Sequence, residues 1–331
     1  MIMNSLRSPI CSRQSALGNR QWLWLLLPCL GSGCAHPARQ PAPVDQAVAF
    51  LSQEVPAWSV ENGCYSCHHN GVAAQALLAA ARAGYPVRPA TLSDTLAWVA
   101  KPAQWDKNQG DPGFSDQRLA NLQFAATLLA ATAAGRPPEA GALAAAAKRV
   151  AADQNPSGSW EIEPANPIGS PTTYGTALAT VVGLTILERA GRADAVADKT
   201  LRWLMERPLG NVPTAASMLL ATRSESYQGP QPPSDSLAFL LQAQHSDGGW
   251  GPYLDAPSEP FDTALALLAL ATFGSRPAVE RSIDRGRAFL QAAQLPDGSW
   301  RPLTPARGGE SYAQHVATTG WATLALLETA P

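Results

Sequence analysis

The chain has 331 residues, 46% of them hydrophobic and 15% charged, a length that allows about two ordinary domains or one large helical one. Ten Trp, seven Phe and six Tyr supply apolar area for a core and exclude a disordered chain, while 26 Gly and 29 Pro predict many short elements separated by turns. A formal charge of −2 with no Lys/Arg-rich run excludes nucleic acid as a partner.

Residues 1–34 read as an export signal. Arg7, Arg13 and Arg20 form a charged region, Trp22 to Leu30 an apolar one, and Gly31-Ser32-Gly33-Cys34 a run of small residues. The apolar run is too short to span a bilayer, and the alternative, a buried helix, fits poorly with the Pro-rich linker 35–44 that follows. The segment Leu30 to Cys34 resembles the cleavage box of bacterial lipoproteins, although Leu30 stands four places before the Cys where the family has it three before. The resemblance implies a lipidated Cys34 and a membrane tether, with plain cleavage as the alternative. Either way the expected location is the periplasm or the outer face of a bacterial membrane.

Residues 45–331 are expected to form a single domain built on a sixfold repeat. Anchors recur at Phe50, Trp98, Val150, Trp203, Phe239 and Phe289, about 48 residues apart, a period typical of stacked helical pairs. The first copy runs from Ala47 to Gly84, with Gln53 and Trp58, and the second from Leu92 to Gly135, with Trp105. The third, fifth and sixth contain 144–160, 236–250 and 285–300, each a helix-period stretch stopped by Ser-Gly, Asp-Gly or Pro and followed by an Ala/Leu-rich stretch. The fourth is shortened, from Asp194 to Arg223. The repeating unit is an αα-hairpin, and six of them predict twelve helices with no strand-period segment between them.

The pattern Gln-x3-Gly-x-Trp occurs at Gln154/Gly158/Trp160, Gln244/Gly248/Trp250 and Gln294/Gly298/Trp300. It resembles the repeat of squalene–hopene cyclases and the related protein prenyltransferases. That resemblance covers residues 47 to the C-terminus and implies an all-α fold, the α/α toroid of about six hairpins with inner and outer helix rings and an apolar central cavity. Physically, the Gln amide can bridge the end of one outer helix to the next element while the Trp shields that bond from water. The reactions of the family are not implied by its own residues. The acidic run Asp-x-Asp-Asp of the cyclases is absent, and with no Cys after position 67 the prenyltransferase zinc ligands are absent too. The nearest carboxylate, Asp262, reads as an ionised helix N-cap and hence a poor acid.

Cys64-Tyr65-Ser66-Cys67-His68 has the Cys-x-x-Cys-His spacing of c-type haem attachment. On a helical turn these three residues share a face, so two thiols can reach one porphyrin's vinyl groups while His68 ligates the iron. Random placement gives the pattern about once in a thousand such chains. The other three Cys lie in the export segment, and export suits haem attachment. Aligning hairpins puts His68 at the start of an inner helix. Rival readings are a zinc site completed by His69 and a Cys64–Cys67 disulfide. For the second axial position His315 is favoured by ring closure over Met205, Met218 and His245, each of which also has an ordinary packing or surface role. Tyr174, Tyr312 and Asp262 fall near inner-helix starts.

The expectation drawn from these residues is an exported haem c redox or electron-transfer protein with a redox partner protein, carrying one covalent haem c at Cys64, Cys67, His68 and His315, and extending to a haem-dependent oxidoreductase. The alternative is an isoprenoid- or lipid-binding protein, or a cyclase- or prenyltransferase-like enzyme, with an apolar small molecule in the central cavity and no haem. A scaffold for protein partners is a third class.

Overall fold

The computed structural model describes residues 42–62, 65, 70–107, 117–162, 168–193, 196–229, 233–303 and 311–330. The export segment 1–34, with its candidate tether Cys34, most of the linker 35–44, and the motif residues Cys64, Cys67, His68 and His69 lie outside them.

Twelve α-helices and one 3₁₀ turn are found among the described residues, with no strand. The first hairpin is α1 (Pro43–Asn62) and α2 (Asn70–Arg82), and the second is α3 (Pro89–Val99) and α4 (Gln117–Ala133). Next come α5 (Ala142–Ala152) with α6 (Gly175–Arg189), and α7 (Ala197–Met205) with α8 (Val212–Ala221). The last two are α9 (Ser234–Ala243) with α10 (Pro260–Ala271), and α11 (Pro277–Ala293) with α12 (Tyr312–Glu328). Each even-numbered helix packs against the next, and α12 packs against α2, so these six close an inner ring. The odd-numbered helices lie outside and lean on that ring, which makes the fold an α/α toroid. All six expected anchors, Phe50 to Phe289, fall on outer helices.

Composition decides which ring a helix joins. α10 (PFDTALALLALA) buries ten of its twelve residues, as a helix surrounded by neighbours must. α11 buries Val279, Ser282, Ile283, Gly286 and Leu290 along one stripe and turns its charges outward. Among the described residues no helix is long and apolar enough to cross a membrane.

The Gln-Gly-Trp turns lock each outer helix to the next. Gln154 Nε2 donates to the Gly158 carbonyl at 3.0 Å and to Thr200 Oγ1 on α7 at 2.8 Å. Gln244 Nε2 donates to the carbonyls of Gly248 and of Ser282 on α11, both at 2.8 Å. Gln294 Nε2 donates to Gly298 O at 2.9 Å and to Pro43 O at the start of α1 at 2.8 Å, which joins the last hairpin to the first. Beneath each turn the buried Trp160, Trp250 or Trp300 donates its ring N–H back to its own outer helix, at Val150, Leu240 or Leu290, each at 2.7 Å. Gly298 has a φ of 89°, and a Cβ there would run into the Gln46 carbonyl on α1, so only glycine fits this closing contact.

The first hairpins keep the architecture with different chemistry. Gln53 is exposed on α1 and docks no neighbouring helix by such a turn, while Trp105, 3% exposed, packs its ring on Phe124 at 5.2 Å. Replacing Gln294 by Ala leaves two carbonyls without their donor, at about 1–3 kcal/mol each where buried. Urea denaturation of Gln294→Ala is therefore expected to lose at least about 2 kcal/mol, and an unchanged midpoint would show that ring closure does not depend on this amide.

Candidate functional site

The inner helices run parallel to one another, so the lumen has a mouth at their N-termini and another at their C-termini. At the N-terminal mouth lies a cavity of 240 Å³ lined by Ser170, Pro171, Pro257, Glu259, Phe261 and Asp262, among others. At the C-terminal mouth lies a second of 550 Å³. Trp321, midway along α12, lines the larger cavity, and Phe261 lines the smaller. The Trp321 ring meets Phe261 at 5.8 Å and Tyr174 at 5.3 Å, both edge-on, and its N–H donates to Pro171 O at 3.0 Å. The three rings form the wall between the chambers. Tyr174 reaches that wall from a left-handed backbone, φ 67°, a conformation an aromatic residue seldom adopts.

Two carboxyls line the smaller chamber, Glu259 and Asp262, and Asp262 is the one whose titration burial shifts. It is 5% exposed and sits at the third position of α10, inside the helix, with Glu259 at the N-cap position. Burial, and then the neighbouring Glu259 carboxylate, push its carboxyl up to about 8, against the lowering effect of its own backbone N–H. At neutral pH Asp262 therefore carries its proton. The expectation of an ionised capping Asp is corrected here: the cap position is three residues earlier, and burial reverses the charge state.

The repeat itself holds this residue in place. Trp250 O accepts the Glu259 N–H at 2.8 Å, and the Trp250 N–H donates to Thr263 Oγ1 at 2.9 Å, which clamps both sides of Asp262. Trp160 with Thr180 and Trp300 with Thr319 make the same bond at 3.1 and 3.0 Å. The positions equivalent to Asp262 are thus Ala179 and Thr318, and only the fifth hairpin places a carboxyl there. Glu259 is anchored in turn, its Oε2 accepting from the Leu303 N–H at 2.7 Å. Sequence reasoning missed Glu259, Phe261 and Trp321. The signal that could have found the first two was the register of Asp262 against the repeat's Thr.

The other expected site residues are dispersed. His315, in the first turn of α12, shares a 2.7 Å bond between its Nε2 and Ser299 Oγ, and its ring lies 5.3 Å from Phe50 on α1. Ser299 Oγ donates to Asp297 Oδ1 at 2.6 Å; burial opposes ionisation of Asp297, but the Ser299 hydroxyl and N–H, with the nearby His315 and Arg301 charges, outweigh it and hold that carboxyl below its usual range. His245 is half-buried in the fifth turn, with Nδ1 at 3.0 Å from Ser258 Oγ and Nε2 at 3.1 Å from Leu254 O. Met218 accepts from Ser236 Oγ at 3.2 Å, and Met205 lies on α7. Of the Cys-x-x-Cys-His stretch only Tyr65 is described, stacked on Trp98 at 4.9 Å. Tyr312 donates its hydroxyl to Glu54 and stacks on Trp58 at 5.5 Å. Among the described residues no three His, Cys, Asp or Glu side chains group as a metal site.

No family model matches the chain. A 66-residue stretch, 20% of this chain, is 44% identical to drimenyl diphosphate synthase of Streptomyces showdoensis and spans 12% of that enzyme's length. Among solved structures the fold is similar to the type II terpene cyclase MstE from Scytonema, with a TM-score of 0.58, 17% identity, and coverage of 87% of this chain and 97% of that one. A variant of that cyclase has been solved with geranylgeranyl dihydroxybenzoate as substrate. A polysaccharide lyase, BACCELL_00875, is also similar, with a TM-score of 0.55, 14% identity, and coverage of 87% and 97%. At such identities these structures show the fold alone.

The sequence match and the cyclase neighbours overturn the expectation of a haem c redox or electron-transfer protein, together with the cytochrome-like and oxidoreductase readings. They favour the isoprenoid alternative. The physical reason for the miss is that Cys-x-x-Cys-His spacing reports three side chains on one short segment and nothing of the lumen around it.

Because Asp262 binds its proton more tightly folded than unfolded, its contribution favours folding below the unfolded value of 3.8 and is lost as pH rises towards about 8. Asp262→Asn is accordingly expected to gain stability on the parent chain between pH 4 and pH 8, measured by urea denaturation across that range; parallel pH curves would show that the carboxyl is ionised when folded.

Proposed function

We propose that this chain is a terpenoid cyclase of the type II kind, which protonates an alkene of a linear isoprenoid in the smaller chamber with Asp262 as the acid. The observation that carries the reading is a nearly buried carboxyl on the wall of an apolar cavity, pushed towards its protonated form by burial and by the Glu259 carboxylate, with Phe261 lining the same cavity. The 44% identity to drimenyl diphosphate synthase over the matched stretch and the toroid shared with type II terpene cyclases support it.

In this reading the isoprenoid's terminal double bond lies against Asp262. The carboxyl proton adds to one alkene carbon, leaving Asp262 as a carboxylate and a tertiary cation on the other carbon. The π electrons of the next double bond close the ring onto that cation, and loss of a proton from the final cation restores a neutral product. A carboxyl held at about 8 is not a strong acid, so the step depends on stabilising what it forms. Phe261, the aromatic side chain that lines this chamber, offers its ring face for a cation–π contact worth about 0.5–2 kcal/mol when desolvated. Pro171, Pro252, Pro257, Pro302 and Phe261 make most of the chamber wall apolar, and a bound isoprenoid that fills it would displace the water that could quench the cation. Glu259 raises the acid's affinity for its proton and is held off the substrate by the Leu303 N–H.

Incubation with farnesyl diphosphate and with a geranylgeranyl-substituted phenol, followed by mass spectrometry and NMR of the products, is expected to give cyclic isomers of unchanged mass. Asp262→Asn is expected to lower kcat by at least about a hundredfold, as removal of a general acid does. The rate should fall as pH rises through about 8, when the proton is lost. Full turnover by Asp262→Asn would remove the assignment.

A further inference from the structure

The 550 Å³ chamber at the C-terminal mouth has no part in the chemistry assigned to Asp262, from which the Tyr174, Phe261 and Trp321 rings divide it. We propose that it is a second binding site, for a linear apolar chain that ends in an uncharged polar group.

Its floor is apolar, with Leu129 from α4, Leu178 and Val182 from α6, Leu220 from α8, Leu268 from α10 and Trp321 from α12. A pocket of this size falls within the usual range for small-molecule sites. At about 30 Å³ per heavy atom it holds about eighteen, whereas the chamber at Asp262 holds about eight. The walls come from all six inner helices, Gln75 on α2 included, with several successive turns of α6 among them, an arrangement that suits a chain running along the lumen over a compact ligand.

The rim settles the head group. Two carboxylates and two guanidiniums line it, Glu188 and Glu225 with Arg189 and Arg223. Arg223 is already engaged, donating to Leu268 O at 3.0 Å and Thr272 Oγ1 at 2.6 Å and lying 3.6 Å from Glu328. Glu188 accepts the Ser224 hydroxyl. With opposite charges matched, neither an anionic nor a cationic head gains from the rim, and a hydroxyl that both donates and accepts is the group best served.

The test is titration calorimetry of the full chain with farnesol, a neutral isoprenoid alcohol that just fits the estimated capacity. The parent chain and Asp262→Asn are expected to bind it alike. Ala126→Trp, which fills the chamber from α4, is expected to weaken binding at least tenfold while circular dichroism stays that of the parent. A diazirine analogue of farnesol, photolysed on the parent chain, is expected to label the segments carrying Val182, Leu220 and Leu268. This mapping decides the matter if Ala126→Trp fails to fold. Absence of farnesol binding, parent-like binding by a folded Ala126→Trp, or labelling confined to the segments of Pro171 and Phe261–Asp262 would each overturn the site. Farnesol binding at this mouth in a chain that cyclises no isoprenoid would reject the cyclase reading and leave this one standing.

Discussion

A turn of five residues carries the ring. In each of the Gln-Gly-Trp copies one amide bonds both its own turn and the neighbouring outer helix, and the indole below it seals the joint while bonding back to the helix it came from. Because the last such amide meets Pro43 at the start of the first helix, the outer ring closes through this side chain while α12 packs on α2 within it. Local turn chemistry and a contact between residues 251 positions apart are therefore one interaction. The inner helices follow from this constraint, since they must fill the space the outer ring encloses and are accordingly apolar nearly all round.

The same device prepares the chemistry. The backbone of Trp250 grips Glu259 on one side of Asp262 and Thr263 on the other, so the acid's position is set by a structural residue that touches no ligand. Where the third and sixth hairpins carry Ala179 and Thr318, the fifth carries a carboxyl, and burial plus one like-charged neighbour keeps it neutral. A position that the third and sixth hairpins use for packing thus holds a buried carboxyl in the fifth. The aromatic wall behind it, fixed by the bond from Trp321 to Pro171, separates the chamber at Asp262 from the larger one.

The architecture was legible in the sequence because its cause is local. Six anchors at a regular spacing mark six outer helices, and Gly-containing turns mark their ends. Even the shortened fourth hairpin was visible, as α7 and α8. The site was legible only in part. Asp262 stood out as the nearest carboxylate, but its charge depends on its burial and on the Glu259 carboxylate beside it, and no helix-start preference reports that burial. Trp321 carries no sequence signal of its own, because its place beside Tyr174 and Phe261 is set by residues distant in the chain. The haem reading failed as a guide to function for the converse reason: a rare spacing is informative about itself and reports nothing of what the ring encloses.

The measurement that bears most directly on this account is infrared difference spectroscopy of the parent chain against Asp262→Asn through a pH titration. The account predicts a protonated carboxyl C=O band at pH 7 that is missing in the variant and bleaches with a midpoint near 8. A spectrum with no such band at pH 7, and only carboxylate stretches above pH 5, would mean that Asp262 is ionised in the folded chain and that no proton waits in the lumen.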